Sequence, residues 1–377
     1  MPPTIGLGLI ARDEEAALPR LLASCAGAFD EIVLVDTGST DATMDVFRSW
    51  AGEHPETNCR LLEAEWTDDF GAARQIALEA LTTDWCSWAD CDDEIRGASA
   101  LRPAASGCDA ATAGLTARYD YAPSEHARHV RLVRRGRGRW HGAVHEALEV
   151  DGPVAAMDGD EVRWVHLPVE TGEPKPRMRR DLEILEGAVA ADPDDERALF
   201  YLAQTLRDLG ERSRAVARYE RRAEMDGWDE ETFFARYQAG VLLADDDWPR
   251  AMQHLVAAWE LRPQRVEPLQ ALSANLRVRG QYETAHVFAT RGLGRPQPPD
   301  SLFVANWVYA WGMLFEVSIT SYWVGEFSAA LAACDELLAR DDLPGLQRGQ
   351  TEHNRRVTVN ALARRAVGSL ASAGPGG

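Results

Sequence analysis

The stretch EIVLVDTGSTDAT (31–43) decides the fold of the first half of this 377-residue chain. A short apolar run ends in an aspartate, a glycine and several helix-capping side chains, which is typical of a buried strand followed by a turn and a helix. The same alternation surrounds it, with further strand candidates at 5–10, 59–65 and 85–90 and helix candidates at 18–29, 41–50 and 70–81. The pattern predicts a mostly parallel sheet with helices on both faces, in which ligands bind at the carboxyl ends of the strands.

The composition restricts the function. The formal net charge is −20 and 45% of the residues are hydrophobic, which is typical of a globular protein with a sizeable core. So acidic a chain lacks the basic surface that sequence-independent attraction to nucleic acid or anionic membrane needs. The six cysteines form no C-x-x-C pair and the amino terminus has no basic signal region, so we expect reduced thiols and a cytoplasmic location. The longest apolar stretch, 302–325, contains Asn306 and Glu316, and no membrane span is expected.

The second half is predicted to consist of helix pairs. It follows HLPVETGEPKP (166–176), whose prolines and glycine are typical of a linker. Four alanines recur at intervals of 36, 34 and 45 residues: Ala215, Ala251, Ala285 and Ala330. Glycine stands five residues before three of them, at Gly210, Gly280 and Gly325, and Pro263 follows Ala251 by twelve. A period of about 34 residues with small residues at the helix crossing resembles tetratricopeptide repeats.

Acidic side chains follow two of the predicted strands. Asp36 follows the run at 31–35, and SWADCDDEI (87–95) places Asp90 and Asp92 just past another strand. Two carboxylates at positions i and i+2 raise each other's pKa unless a cation lies between them, and such oxygen ligands suit Mg²⁺ or Mn²⁺ shared with a diphosphate. A capped β–α turn and a solvated acidic turn are the alternative interpretations of the two segments taken alone.

Four segments in order carry a family resemblance: VDTGSTDAT (35–43), FGAARQIAL (70–78), SWADCDDEI (87–95) and WHGAVHEAL (140–148). Together they resemble the family 2 glycosyltransferases of the GT-A fold. They are most similar to the bacterial subgroup in which the catalytic domain is fused to tetratricopeptide repeats, and which includes glycocin S-glycosyltransferases. The resemblance implies an α/β GT-A catalytic domain over 1–166, a linker over 167–176, tetratricopeptide-like repeats over 177–368 and a flexible tail over 369–377.

The resemblance also implies roles for individual residues. The residues expected to bind the nucleotide sugar are Asp13, Glu14, Asp36, Arg74 and Asp90. The expected metal site consists of Asp92, Asp90 and His166, with Asp92 the more direct ligand and Asp90 nearer the ribose. The expected general base is Glu146, and its neighbour His145 is the rival. Two positions depart from the family pattern, since Gln75 and Asp13 stand where asparagine is usual.

The implied activity is a metal-dependent, inverting transfer of a hexosyl group from a nucleotide-diphosphate sugar, with UDP-sugar favoured by family habit. The repeats are expected to recruit the acceptor or a partner, or to join copies of the chain. A peptide or protein, a glycan or lipid, and a nucleic acid with a modified base all stay open as acceptors, the last because six arginines lie within 128–139. The candidate acceptor or phosphate contacts are Arg131, Arg135, Trp140 and Asp93.

Three other interpretations stay open. The arginine-rich segment is also what a solvated hairpin with cationic side chains would show. A repeat scaffold with a degenerate transferase domain would need no catalysis, although both aspartates of D-x-D and the V-H-E element are present. A nucleotidyltransferase also uses paired aspartates on a β–α sheet, but it requires a glycine-rich basic loop where this chain has ARDEEAALPR (11–20).

Overall fold

The structure is a computed structural model that describes residues 2–122, 125–157, 159–167, 175–300 and 302–372. The chain divides into two compact units, Met1–Tyr201 and Leu202–Gly377. The first unit holds the sheet, and the second is helical.

The first unit is built on strands joined by helices. Its strands are β1 (Ile5–Ala11), β2 (Glu31–Asp36), β3 (Asn58–Glu63), β4 (Trp85–Trp88), β5 (Asp93–Arg96), β6 (Gly114–Ala122), β7 (Glu125–Arg134), β8 (Gly138–His141), β9 (Ala147–Val150), β10 (Val154–Ala156) and β11 (Arg163–His166). Its helices are α1 (Leu18–Cys25), α2 (Thr43–Glu53), α3 (Phe70–Ala80), α4 (Leu101–Gly107), α5 (Lys175–Ala191) and the first part of α6 (Glu196–Asp208). Every strand and helix predicted for the first 90 residues is present.

The main sheet runs in the order β3-β2-β1-β4-β7-β6-β11-β5, with β10 paired to β6. β1 pairs in parallel with β2 and β4, and β2 pairs in parallel with β3. β7 is antiparallel to both of its neighbours, β4 and β6, whereas β11 is parallel to β6. The carboxyl ends of β1, β2, β4 and β11 therefore meet at one edge of the sheet. Apolar residues of β1 and β2 pack on α1 below it, where Leu7, Leu9 and Leu21 are fully buried.

Helix α3 is held against this edge by local chemistry. Asp69 caps it, since its side chain accepts a hydrogen bond from the amide of Ala72 at 2.8 Å. In the first turn, a Cβ on Gly71 would lie 2.6 Å from the carbonyl oxygen of Gly142. Only glycine allows the helix and the loop after β8 to approach this closely, so the V-H-E segment lies beside α3.

The second unit contains helices that each pack on the next along the chain. They are α7 (Arg212–Ala223), α8 (Asp229–Leu243), α9 (Trp248–Leu261), α10 (Glu267–Val278), α11 (Tyr282–Gly292), α12 (Met313–Trp323), α13 (Phe327–Leu338) and α14 (Gly345–Ser372). The four phased alanines are all fully buried at helix crossings. Gly210, Gly280 and Gly325 have φ of +83°, +73° and +82°, so each makes the left-handed turn predicted for it.

The predicted architecture, an α/β sheet domain followed by all-α tetratricopeptide-like repeats, is confirmed. The predicted domain bounds stay predictions, and α5 with the start of α6 belongs to the first compact unit. The predicted flexible tail lies mostly outside the described residues. In the part of the chain that the structure describes, no helix has the length and apolar character needed to cross a bilayer.

Candidate active site

A cavity of about 670 Å³ opens at the carboxyl ends of the parallel strands in the first unit. The segment after β1 forms one wall, the segment after β4 and the end of β11 form another, and α3 and α5 complete it. The charged residues that line it are Arg12, Asp13, Glu14, Arg74, Asp90, Asp92, His166 and Arg180, and aromatic residues Trp66 and Phe70 lie between them. This is the position at which open α/β sheets bind their ligands.

Asp92, Asp93 and His166 form a candidate metal site. Each offers one ligand atom, and these atoms all lie within 4.8 Å of one another. Nδ1 of His166 is 3.5 Å from Oδ1 of Asp92 and 3.7 Å from Oδ1 of Asp93. The antiparallel register of β5 and β11 produces the cluster, because it places Asp93 directly opposite His166. The structure thus groups Asp93, rather than Asp90, with the other two predicted ligands.

The donor set fits a divalent cation. Nδ1 of His166 is buried and makes no hydrogen bond, since both carboxylates lie beyond hydrogen-bond length. Proximity to the Asp92 carboxylate, and then to that of Asp93, raises the pKa of His166 to about 10. An imidazole nitrogen and carboxylate oxygens suit Mn²⁺, which would replace the proton that this pKa favours.

Asp93 is an interior residue. Its side chain is fully buried, and its oxygens accept hydrogen bonds from the hydroxyl of Tyr119 and the amide of Asp90, both at 3.0 Å. Burial raises the pKa of Asp93. Its Oδ1 faces Nδ1 of His166, the same atom that faces Asp92, so Asp93 belongs to the candidate ligand set. As placed, Asp93 offers no exposed surface to an acceptor.

Arg131 lies beneath the same cluster. Its side chain is 1% exposed, and its Nη1 is 3.9 Å from Oδ2 of Asp93. Its guanidinium carbon is 3.8 Å from the ring centroid of Trp88 and 4.4 Å from that of Tyr119. Arg131 is therefore a buried counter-charge to the acidic cluster, and it has no surface to offer to an acceptor or a phosphate.

Arg74 joins two of the predicted functional carboxylates. It forms ion pairs with Asp90 and, at 2.5 Å, with Glu146. Burial alone would raise the pKa of Asp90, but the charge of Arg74 outweighs it and holds that pKa below its usual range. Burial likewise opposes the charge on Arg74, and the two carboxylates together raise its pKa. Asp90 and Arg74 are therefore both ionised.

Trp140 and Gln75 support Arg74. Trp140 is 6% exposed and packs edge-on against Trp88 at 4.9 Å between ring centroids. The guanidinium carbon of Arg74 lies 5.3 Å from the Trp140 ring and 4.9 Å from the Trp88 ring. Gln75 accepts a hydrogen bond from the Trp140 amide at 2.9 Å, which ties α3 to β8. Trp140 thus walls in Arg74 and is too buried to contact an acceptor.

Asp36 carries an oxygen with no partner. Its Oδ2 accepts hydrogen bonds from the amides of Gly38 and Ser39, both at 3.0 Å, which fixes the turn after β2. Its Oδ1 is buried and has no hydrogen-bond partner. A buried carboxyl oxygen left without a hydrogen bond is costly, so this atom is a candidate acceptor for a ligand N–H or O–H group.

Asp13 fastens the loop after β1 to the loop after β2. Its φ is +55°, and its Oδ1 accepts hydrogen bonds from the amide of Thr40 at 2.7 Å and that of Asp41 at 3.3 Å. In return the amide of Glu14 donates to the hydroxyl of Thr43 at 2.7 Å. Both predicted donor-site residues, Asp13 and Glu14, line the cavity, and Asp13 also fixes the shape of its wall.

The two candidate bases have different surroundings. Glu146 is bonded to Arg74 and is mostly buried, with 14% of its side chain exposed. His145 has a φ of +55°, and its ring stacks on Tyr201 at 4.2 Å between centroids. Its carbonyl oxygen accepts hydrogen bonds from Arg197 at 2.6 and 3.2 Å. The structure thus brings Glu146, and not the His145 ring, into contact with the donor-site residues.

Arg135 lies away from the cavity. The register of β4 and β7 pairs Trp85 with Arg134, so Arg135 is at the amino end of β4, opposite the edge that carries Asp90. It is exposed in the turn that follows β7. Arg128 and Arg137 of the same run bond to Asp160 and Asp151. The arginine-rich segment is therefore distributed along a hairpin and does not form a phosphate clamp at the site.

Sequence reasoning missed three residues that line the cavity, Trp66, Phe70 and Arg180, and a fourth, Arg20, that supports its wall. Arg20 on α1 donates hydrogen bonds to the carbonyl oxygens of Asp92 at 3.0 Å and of Leu167, and so fixes the segment that holds the metal candidates. Trp66 and Phe70 pack edge-on at 4.7 Å. Arg180 comes from α5, far along the chain. Arg20 and Arg180 lie in helices in which no local pattern distinguishes them. Trp66 and Phe70 lie at the capped start of α3, which is a signal that the sequence does contain.

An open α/β sheet with a D-x-D segment and a histidine at its ligand-binding edge is the arrangement expected of a nucleotide-dependent glycosyltransferase. Residues 8–116 match the model of the family described as Glycosyl transferase family 2. This part of the chain is therefore similar to family 2 glycosyltransferases.

Three curated relatives carry the comparison further. A TPR repeat-containing protein of Synechococcus elongatus is 41% identical over 91 residues, which are 24% of this chain and 21% of that protein. The SPbeta prophage-derived glycosyltransferase SunS of Bacillus subtilis is 24% identical over 225 residues, 57% of this chain and 52% of SunS. The lipopolysaccharide core biosynthesis glycosyltransferase LpsC of Rhizobium meliloti is 31% identical over 161 residues, 39% of this chain and 57% of LpsC. The matches span from about a fifth to just over half of the length of these relatives.

Proposed function

We propose that this chain is a metal-dependent glycosyltransferase that moves a hexosyl group, with inversion, from a nucleotide-diphosphate sugar to an acceptor. The family 2 domain and the relatives named as glycosyltransferases support the reaction class. UDP-sugars are the first donors to test, with Mn²⁺ or Mg²⁺ as the metal. The repeats recruit the acceptor or a partner.

The observation that carries the proposal is the arrangement of Asp92 and His166 in the cavity wall. Both line the cavity, and the buried Nδ1 of His166 makes no hydrogen bond. Asp92 and His166 would hold the metal together with the buried carboxylate of Asp93. A divalent cation bound there supplies positive charge to the diphosphate as it leaves.

The other residues take roles that follow from their contacts. Asp36 accepts a hydrogen bond from the nucleoside through its unpaired Oδ1, and Asp13 and Glu14 shape the wall beside it. Arg74 keeps Asp90 ionised at the ribose side and positions Glu146. Glu146 is the general base that takes the acceptor's proton, because the His145 ring is stacked on Tyr201.

The acceptor classes differ in the support they have. One relative is named for lipopolysaccharide core biosynthesis, and on that ground we propose a glycan or lipid as one candidate acceptor. A peptide or protein is the other candidate. A nucleic-acid acceptor loses its main support, because Arg131 is buried and Arg135 lies at the opposite end of the strands.

The proposal is tested by assaying a panel of nucleotide sugars for release of free nucleoside diphosphate, with Mn²⁺ or Mg²⁺ and with peptide, lipid-linked and nucleic-acid acceptors. We expect metal-dependent release from one donor, and a shift in acceptor mass by one sugar. Glu146→Gln should lower kcat while the affinity for the nucleoside diphosphate stays unchanged. An exposed carboxylate, Glu149→Gln, is the matched control. A wild-type chain that turns over no donor under any of these conditions would overturn the proposal.

A further inference from the structure

Helix α5 contributes an arginine to the cavity. Arg180 lines it together with Asp92, His166 and Phe70, and about half of its side chain is exposed. Its guanidinium carbon lies 5.0 Å from the centroid of the Phe70 ring. It forms an ion pair with its chain neighbour Asp181, where Nε and Nη2 donate to one carboxylate oxygen at 3.2 and 2.8 Å. This pairing leaves Nη1 of Arg180 available to a ligand.

The cavity wall has more carboxylates than a nucleoside diphosphate would tolerate alone. Asp13, Glu14, Asp90 and Asp92 all line it. Arg74 is poorly placed to serve the phosphates, because it is paired with Asp90 and Glu146 and only 8% of its side chain is exposed. The leaving group of a nucleotide sugar therefore needs a further cation besides any bound metal.

Arg180 is placed for this task and Arg12 is not. Phe70, on which Arg180 packs, is one helical turn before Arg74 on α3, and Arg74 reaches Asp90 of the D-x-D segment. Arg12 follows β1, next to the Asp13 loop that is bonded to the turn after Asp36. Arg180 thus lies on the metal side of the cavity, and Arg12 lies on the nucleoside side.

We propose that Arg180 binds the diphosphate of the donor and stabilises it as it leaves, an inference that rests on the proposed function. A guanidinium donates paired hydrogen bonds to phosphate oxygens. In the transfer, an acceptor atom forms a bond to the anomeric carbon as the bond from that carbon to the diphosphate oxygen breaks. The bonding electron pair stays on that oxygen beside Arg180, and the acceptor's proton goes to Glu146. The donor site therefore extends beyond both the family match at 8–116 and the end of β11.

The test measures nucleotide affinity by titration calorimetry on the full chain with Mn²⁺. The probes are UDP, GDP, ADP, CDP and dTDP, each with its own nucleoside as partner. Arg180→Gln should weaken binding of the preferred diphosphate by about tenfold, the loss of one charge-assisted contact at a half-exposed site, and leave the nucleoside unchanged. Arg180→Lys should lose less. Arg179→Gln removes an exposed neighbour on the same helix and should change neither affinity.

The outcomes separate the two levels of inference. If the wild-type chain binds none of the five diphosphates, the proposed function fails and the role of Arg180 fails with it. If the wild type binds and Arg180→Gln binds equally well, the role of Arg180 is overturned while the proposed function stands. A variant that weakens nucleoside and diphosphate to the same extent also overturns it, because Arg180 would then act only by packing on Phe70.

Discussion

The two units of this chain differ in whether their buried charged side chains are fully hydrogen-bonded. In the helical unit, Arg265 is 1% exposed and its donors are fully used. It bonds to both oxygens of Glu267 at 3.0 and 3.1 Å, to Asp300 at 3.3 Å, and to the carbonyl oxygens of Leu302 and Phe303. Such a network has no capacity left for a ligand, so its role is structural.

In the sheet unit, charged side chains around the cavity keep buried atoms without hydrogen bonds. They are Nε of Arg20, Oδ1 of Asp36, Nε of Arg131 and Nδ1 of His166. In the helical unit, the unpaired buried atoms of the described residues all belong to neutral side chains, those of Tyr219, Trp259, Ser273, Ser321 and Asn354. A buried charged group without a hydrogen bond is expensive, and the atoms of Asp36 and His166 are the ones that a ligand could complete, since Arg131 is enclosed by aromatic rings. The difference separates a binding site from a scaffold within one chain.

The largest expected effect is on stability, in the saturated network. Arg265→Met should lower the free energy of unfolding of the helical unit by about 3–5 kcal/mol, because it leaves Glu267 buried without its arginine and removes one of the two arginines that pair with Asp300. Thermal or urea unfolding measures it. Arg356→Met, at an exposed position of α14, is the control and should change it by less than about 0.5 kcal/mol. Equal effects of the two substitutions would contradict a structural role for the network.

The next largest effect is expected on turnover, at the candidate metal site. Asp92→Asn should lower kcat/KM for sugar transfer about a hundredfold or more, because the metal would lose a charged ligand. Its melting temperature should stay close to that of the wild type. Glu94→Gln, two residues along and paired with the exposed Arg96, should retain activity. Full activity of Asp92→Asn would remove this residue from the metal site.

A smaller effect is expected on nucleotide affinity. Asp36→Asn can keep the hydrogen bonds to Gly38 and Ser39 through its oxygen while it replaces the unpaired Oδ1 by a donor. We expect the Kd of the nucleoside diphosphate to rise about tenfold, with the free energy of unfolding changed by less than about 1 kcal/mol. Calorimetry and denaturation measure the two quantities. A large loss of stability with unchanged Kd would make Asp36 a turn residue only.

The smallest effect concerns pH. Burial alone would raise the pKa of Asp300, but Arg262 and Arg265 outweigh it and hold that pKa below its usual range. The stability this contributes is present above the unfolded pKa of about 4 and is lost as the pH falls through the lower folded value. Asp300→Asn should therefore flatten the loss of stability below about pH 4. Denaturation curves at several pH values measure it, and an unchanged slope would contradict the ion pairing.

The sequence predicts the carboxylates at the strand ends better than it predicts which of them lies beside His166. Strand ends are visible as the points where apolar runs stop, so Asp36, Asp90 and Asp92 could be placed at the edge of the sheet. Which carboxylate accompanies His166 depends on the register of β5 and β11, which pairs it with Asp93. No local pattern encodes that register, because the two strands pair in the sheet but lie far apart along the chain.

The other differences between the predicted site and the structure concern two buried residues and one residue on α5. Arg131 and Trp140 were expected to contact an acceptor or a phosphate, but both are buried. Aromatic rings enclose Arg131, and the ring of Trp140 packs against the guanidinium of Arg74. Arg180 was missed because α5 lies past the predicted catalytic domain. In the repeats the alanine and glycine phasing was sufficient, because crossing helices require small residues and their turns require positive φ.

The central claim is that the cavity at the edge of the sheet binds a nucleoside diphosphate together with a divalent cation. Its most direct test is the Kd of UDP, and then of the other nucleoside diphosphates, measured on the wild-type chain with Mn²⁺ and again with EDTA. We expect at least one nucleoside diphosphate to bind measurably, and its Kd to rise about tenfold or more when EDTA removes the metal. Binding that is equally strong with EDTA, or no binding of any nucleoside diphosphate, would contradict it.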